Sequence, residues 1–370
     1  MEKTLNPPER ILMGPGPSEV SARVLRAMSA PLVGHLDPYF LGIMDENQAL
    51  LRYVFNTKNK FTIPISGTGS AGMEAALCNV LERGDEIIIG INGLFSMRMK
   101  DIAERCGAKV RVIEQPLGRI FEPEEVKDAL KKTKPKAVAL VHAETSTGAW
   151  QPLKEIGGIV REHEALFIID AVTSLGGIPV DVDANFIDIC YSCTQKCLGC
   201  PPGLSPITLN ERALEVIANR RTKVQSWYLD LSLLRSYWGK GRTYHHTAPI
   251  SMNYALNEGL KIIKEEGLEN RYDRHKRVSN LLKEGLVEMG FGFFAQEGHR
   301  LPMLTTVTMP EGVEADKARL ELLQRYNIEF GGGFGELKDK IWRIGLMGHT
   351  ASEKNVYYAL NAIKNVISKG

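Results

Sequence analysis

The sequence predicts an α/β protein, with a large domain built on a mainly parallel central sheet between helices and a smaller C-terminal α+β domain. Three observations carry this expectation. Short β-branched runs alternate with helical patterns from Phe61 to Tyr191. The pattern changes after about residue 250. The 370 residues, 44% hydrophobic and 24% charged, suffice for a large core and suggest two domains.

The strand runs are Phe61–Ile65, Glu86–Ile91, Val110–Ile113, Ala137–Val141, Leu166–Ile169 and Ile187–Tyr191. Helical patterns lie between them. Ala71–Leu81 is rich in Ala, Met and Leu, and Met97–Cys106 stops before Gly107. Pro123–Lys132 opens on a first-turn proline and closes on lysines, which suits the helix dipole. Leu153–His163 leads into the next strand. Beyond residue 250, a helix over Ser251–Glu266 runs into a basic one over Asn270–Met289. Short strands at Leu304–Met309 and Ile341–Ile344 follow. The last helix starts near the N-cap Ser352 and carries Val356, Ala359, Leu360, Ile363, Val366 and Ile367 on one face. We divide the chain into an N-terminal segment 1–20, a large domain 21–250 and a small domain 251–370.

Charge excludes some partners. The 46 basic residues nearly cancel 44 acidic ones, for a net charge of +2, and no long charge run interrupts the mixture. Nothing global favours nucleic acid or a membrane surface. The N-terminus lacks the apolar stretch of a signal peptide, and no run approaches the ~20 apolar residues of a membrane span. A cytoplasmic chain is expected, with its six cysteines reduced.

Gly67-Thr68-Gly69-Ser70-Ala71-Gly72 follows a predicted strand and opens a predicted helix, as a dinucleotide fingerprint would. That reading also needs an acid at the far end of the next strand, where Gly90-Ile91-Asn92-Gly93 has none. A helix N-terminus with free backbone N–H groups and the hydroxyls of Thr68 and Ser70 also suits a phosphate. A tight turn that binds nothing would satisfy the same residues.

Asp170 ends an apolar run, at the strand end where α/β sheets bind ligands, although a helix N-cap is the commoner fate of a lone aspartate there. Lys196 follows another strand among small and apolar neighbours. A desolvated lysine has a lowered pKa and can act as a nucleophile or Schiff-base former, whereas a lone lysine is more often a surface charge. Together, the turn, Asp170 and Lys196 fit pyridoxal 5'-phosphate. That cofactor needs a phosphate cup, a carboxylate for its pyridinium nitrogen and a lysine for its aldehyde. Phe95 is available to stack on the ring.

These residues resemble the class V, fold-type I aminotransferases of the alanine–glyoxylate and serine–pyruvate group. The resemblance extends through Met13-Gly14-Pro15-Gly16-Pro17-Ser18, His142-Ala143-Glu144-Thr145-Ser146-Thr147-Gly148, Asp170–Gly177, Gln195-Lys196, Pro201-Pro202-Gly203, Tyr244-His245-His246-Thr247, Gly331–Gly333 and Trp342–Gly348. It implies that Lys196 holds the cofactor and moves a proton from substrate Cα, and that Asp170 pairs with the ring nitrogen. Thr68, Gly69, Ser70 and Gln195 would hold the phosphate, with Thr145 near the phenolic oxygen. Tyr244 and Thr247 would reach the cofactor of a partner subunit, making a homodimer the active unit. Arg343 would clamp the substrate carboxylate near the Gly16 backbone. Phe95 stands where relatives often have Trp, and Thr145 where they often have Ser. Gly34-His35, at the mouth of the neighbouring subunit's site, suits small substrates. Amino-acid and 2-oxo-acid substrates are therefore expected, with alanine or serine as donor and glyoxylate or pyruvate as acceptor.

Cys190, Cys193, Cys197 and Cys200 surround Lys196 with a spacing that suggests zinc or iron–sulfur. On a strand, Cys190 and Cys193 would point to opposite faces, which argues for packing and for no metal. A hydroxykynurenine transaminase, a lyase or a desulfurase of the same class, and more distantly a nicotinamide oxidoreductase, are the alternatives.

Overall fold

The structure, a computed structural model, describes residues 5–368, so the first four residues of the expected N-terminal segment lie outside it. Its main sheet has seven strands: β1 (Phe61–Ser66), β2 (Glu86–Ile91), β3 (Lys109–Glu114), β4 (Ala137–Val141), β5 (Leu166–Asp170), β6 (Ile189–Tyr191) and β7 (Leu204–Leu209). The spatial order is β1-β7-β6-β5-β4-β2-β3. Only β7 runs antiparallel to its neighbours. The sheet is therefore mixed but mainly parallel, as expected for this α/β class.

Alternation along the strands fills both faces. Ile87, Ile89, Ala139 and Ile168 point into one core layer, beneath the helices Gly69–Val80 and Leu94–Arg105. Ile88, Val138, Leu140, Phe167 and Ile169 point into the other, beneath Pro38–Phe55, Pro123–Lys131 and Lys154–Glu162. The helix Ile250–Glu266, which the sequence reading assigns to the C-terminal part, also buries Leu256, Leu260 and Ile263 in this second layer.

β7 is absent from the strand runs read in the sequence, and Pro206 lies within it, opposite Pro64 of β1. Its ladder with β6 stops at Ile207–Tyr191, next to that proline, which has no N–H to donate. The helices Ala22–Met28, Pro38–Phe55, Glu211–Ala218 and Leu231–Trp238 are further elements that the helical patterns read in the sequence do not include. In Pro38–Phe55 the start signal is nevertheless present: Asp37 caps the Tyr39 N–H at 2.8 Å and Pro38 takes the first turn.

The C-terminal part is a four-stranded antiparallel sheet, in the order Gly292–Phe293, Leu304–Thr308, Ile341–Gly345, Gly331–Gly332. Leu268–Glu288, Ala315–Tyr326 and Glu353–Ile367 contribute to its core, which gathers Val307, Trp342, Ile344 and Val356. Arg343 alternates with Trp342 and Ile344, so it faces away from that core. The N-terminal segment joins this part. Ile11–Leu12 pairs with Ile328–Glu329, the Gly345 N–H donates to the Met13 carbonyl at 2.7 Å, and Met13 packs in the same core.

One close approach fixes the helix Gly69–Val80 on the sheet. A Cβ on Gly72 would lie 2.1 Å from Ser205 Oγ and 3.2 Å from Tyr191 Cβ. Gly72→Ala would gain about 1 kcal/mol of helix propensity but force an overpacked contact costing roughly 1–3 kcal/mol. Thermal unfolding should therefore show a midpoint lowered by a few degrees, partly recovered when Ser205→Ala accompanies the change. An unchanged midpoint would show that the helix can shift freely.

Candidate active site

Because β1, β2, β4, β5 and β6 run the same way, their C-terminal ends share one edge. The segments leaving that edge carry the Gly67 turn, Phe95, Thr145, Asp170 and Lys196. Ligands bind at this edge of open α/β sheets.

Asp170 is the last residue of β5 and is buried. Its Oδ1 accepts from the Val172 N–H at 2.8 Å and its Oδ2 from the Tyr191 hydroxyl at 3.0 Å. Tyr191 is paired with it in register on β6. Burial pushes the carboxyl up to about 7; the charge of Glu144 adds to this, and the two hydrogen bonds and Lys196 oppose it.

Lys196 sits on the loop after β6, with Nζ donating to the Pro15 carbonyl. It is 8% exposed, and burial lowers its pKa from the ordinary lysine value. Ser18 ties down its backbone: the Ser18 hydroxyl donates to the Lys196 carbonyl at 2.8 Å and the Ser18 N–H to the Gln195 carbonyl at 2.9 Å. Gly16 makes this possible. Its φ is +110°, and a Cβ there would lie 2.6 Å from Lys196 Cδ and 2.8 Å from Nζ.

A cavity of about 260 Å³ opens beside the lysine. Gly16, Thr68, Gly69, Ser70, Phe95, Asp170, Gln195 and Lys196 all line it, so eight residues singled out in the sequence converge. Thr68 caps the helix Gly69–Val80 with extended backbone, and its side chain makes no cap hydrogen bond. The first N–H groups of that helix have no intrahelical partner. Gln195 Oε1 is buried without a hydrogen-bond partner. A free helix end, a spare hydroxyl and an orphaned amide oxygen beside an amine and a carboxyl are the features a phosphorylated, nitrogen-bearing aromatic ligand would satisfy.

Arg343 and Thr145 stand next to this cavity rather than on its wall. Arg343 is buried; its Nε donates to the Gly332 carbonyl at 2.8 Å and its Nη1 to the Thr145 carbonyl at 3.2 Å. The Phe334 ring covers the guanidinium at 4.2 Å. Burial lowers Arg343 to about 10, and Glu144 opposes the shift. Thr145 Oγ1 shares a 2.5 Å hydrogen bond with Thr173 Oγ1. Gly34, His35, Tyr244 and Thr247 line no part of the Lys196 cavity in this chain. His35 and Tyr244 rings lie 5.2 Å apart, and Gly34, Tyr244 and Thr247 are exposed. A larger groove of about 720 Å³, lined by Asp85, Lys136 and Arg212 among others, lies at the opposite end of the strands and contains none of these residues.

A family model described as Aminotransferase class-V matches residues 15–335. The chain belongs to the class-V aminotransferases. It is 44% identical to the (S)-ureidoglycine–glyoxylate transaminase of Bacillus subtilis (strain 168), over 97% of this chain and 91% of that one. It is 40% identical to the alanine–glyoxylate aminotransferase of Rattus norvegicus, over 99% and 90%. The crystal structure of an alanine–glyoxylate aminotransferase from Nostoc sp. superposes with a TM-score of 0.98 at 49% identity, covering 99% of this chain and 97% of that one.

The dinucleotide reading of the Gly67 turn does not survive in this class-V aminotransferase. β1 is an edge strand paired only with the antiparallel β7, so β2 and its end residues lie across the sheet. The cysteines resolve as packing residues. The thiols of Cys193, Cys197 and Cys200 donate to separate carbonyls, those of Val172, Thr173 and Ala255, at 3.6, 3.4 and 3.4 Å. Cys197 and Cys200 fill space left by Gly177 and Gly259, where a Cβ would meet Sγ at 2.7 and 2.2 Å. Burial pushes these three thiols up to about 12. Among the described residues, no group of three or more His, Cys, Asp or Glu could hold a metal ion.

Three residues of the site escape sequence reasoning. Tyr191 could have been found from its position at the end of the neighbouring strand. Glu144 is a fully buried carboxyl that accepts from Ser146 Oγ at 2.6 Å and from the Ser96 N–H at 3.3 Å, tying the Thr145 segment to the helix that carries Phe95. Arg271 has no motif, yet its guanidinium donates to the carbonyls of Cys197 at 2.6 Å and Gly176 at 2.9 Å while pairing with Glu266.

Asp170 carries a pH signature. Its folded pKa, about 7, lies above the ordinary carboxyl value near 3.9, so the folded chain holds this proton more tightly than the unfolded chain. That stabilisation is complete below about pH 4 and is lost as pH rises through about 7. The ligand-free protein should lose thermal stability between about pH 4 and about pH 7, and Asp170→Asn should flatten that slope. Parallel slopes in the two proteins would place the titration elsewhere. For the cysteines, an aromatic disulfide reagent should titrate six thiols in the unfolded chain and leave the native ones unreacted on the same timescale. Stoichiometric zinc or iron in the purified protein would contradict the packing role.

Proposed function

We propose that this class-V aminotransferase uses pyridoxal 5'-phosphate to move an amino group from alanine or serine to glyoxylate, with pyruvate as the second acceptor. The observation that carries the cofactor is the convergence of Lys196, Asp170 and the free helix end at Thr68–Ser70 on one cavity. The glyoxylate acceptor rests on the names of the relatives, all near 40% identity or above over nearly the whole chain.

When bound, the cofactor supplies an aldehyde for the amine and a ring that accepts electrons from the substrate's Cα. Lys196 Nζ, kept unprotonated by its lowered pKa, would hold that aldehyde and, once the substrate amine had displaced it, would serve as the free base for the proton at Cα. Asp170 would hold a proton on the ring nitrogen, with the Tyr191 hydroxyl bond keeping its carboxyl aimed. Thr68, Gly69, Ser70 and Gln195 would bind the phosphate, Phe95 would stack on the ring, and Thr145 would lie near the phenolic oxygen. Arg343 orients the substrate carboxylate, with the Gly16 backbone beside it. Tyr244 and Thr247, exposed in one copy, serve the cofactor of a second copy in a homodimer, whose Gly34-His35 borders the substrate. That Gly34-His35 pair suits small substrates. A desulfurase needs a thiol free to reach the substrate sulfur, and all six cysteines are buried. The division between large and small domains falls near Gly267, after the helix that packs on the main sheet.

A transamination panel of alanine, serine and other donors against glyoxylate and pyruvate tests the reading. Glyoxylate should be the best acceptor; indifference to it would sink the assignment. Lys196→Ala should abolish transfer and the visible absorbance of the bound cofactor. Arg343→Lys should raise KM by roughly tenfold or more for both substrates, since an ammonium cannot make the paired hydrogen bonds of a guanidinium.

A further inference from the structure

The phosphate end of the cavity is short of positive charge. Thr68, Gly69, Ser70 and Gln195 are neutral. A helix N-terminus contributes the equivalent of roughly half a charge, whereas a phosphate monoester carries about −1.5 to −2 at pH 7. Lys196 cannot serve both the aldehyde and the phosphate, and Asp170 adds negative charge when ionised.

Arg98 supplies what is missing. It lies three residues after Phe95 on the helix Leu94–Arg105 and lines the same cavity. Its Nη1 donates to Ser70 Oγ at 3.2 Å, and its Cζ lies 5.0 Å from the centroid of the Phe95 ring. Among the described residues it makes no ion pair with a carboxylate. Because Ser70 Oγ accepts from Arg98, its own O–H proton remains free to be donated into the cavity. One guanidinium thus touches both the phosphate turn and the ring that covers the cofactor plane.

We propose that Arg98 is a cofactor-binding residue that provides positive charge at the phosphate and orients the Ser70 hydroxyl toward it. The inference rests on the pyridoxal phosphate reading. Arg98 is exposed at the cavity rim, so substitution there spares the core.

Titrating the apoprotein with pyridoxal phosphate and with pyridoxal, which lacks the phosphate, separates the roles. Arg98→Gln should weaken pyridoxal phosphate binding by about tenfold, as loss of a charge-assisted contact does, and reduce its dependence on ionic strength. Pyridoxal affinity should change less than twofold. Arg98→Lys should recover part of the loss. Unchanged pyridoxal phosphate affinity in Arg98→Gln would overturn the inference, and so would equal weakening of both ligands, which would mean that Arg98 acts only through Phe95. A wild-type apoprotein that binds no pyridoxal phosphate would overturn the cofactor reading itself and this inference with it.

Discussion

Taking ionisable groups out of water is costly unless each finds a partner, and this chain does so with Asp170, Glu144, Lys196 and Arg343 around one sheet edge. None of them forms a close ion pair with another. Asp170 relies on an N–H and a phenol, Glu144 on a serine and the start of a helix, Lys196 on the Pro15 carbonyl, and Arg343 on two carbonyls and a ring. Neutral partners leave the charges incompletely compensated. The carboxyls therefore shift up and the lysine and arginine down. The site holds reactive protonation states because burial is not relieved by direct pairing.

That constraint explains why three distant stretches of chain must meet. Lys196 needs a carbonyl, and the N-terminal segment brings Pro15 to it. Ser18 bonds the lysine's backbone, and Met13 hydrogen-bonds to Gly345. The same segment thus touches the lysine loop and the strand carrying Arg343. Arg271 and Arg274 reinforce the link from below. Both pair with Glu266; Arg271 holds the Cys197 carbonyl and Arg274 those of Gly348 and Ala351. A shift of the C-terminal part would therefore be felt at the residue after Lys196.

The sequence makes the parallel strands legible because full burial on both faces writes continuous apolar runs, as in Ala137–Val141. It is silent on β7, where Pro206 stands opposite Pro64 of β1, and on Pro38–Phe55, although Asp37-Pro38 is a capping signal. Residues with a chemical signature in local sequence, such as Lys196 after a strand or the Gly67 turn, are readable one at a time. Their convergence is not, since it follows from strand order. Arg98 and Arg271 matter through partners far away in sequence, Ser70 for one and Gly176 and Cys197 for the other, and nothing local distinguishes them from ordinary helix residues.

The cysteines show the same physics from the apolar side. The main-chain path around Lys196 packs so closely that Gly177 and Gly259 leave no room for a Cβ, and the facing positions need small side chains that tolerate burial. Serine would fit the volume but would bring a stronger hydrogen-bonding group into an already polar region. Cysteine is as small, is content with weak contacts to carbonyls, and stays protonated there. A spacing that suggests metal ligation is thus what a tightly wound loop beside a buried amine selects, because neutral thiols leave the lysine as the nucleophile of its loop.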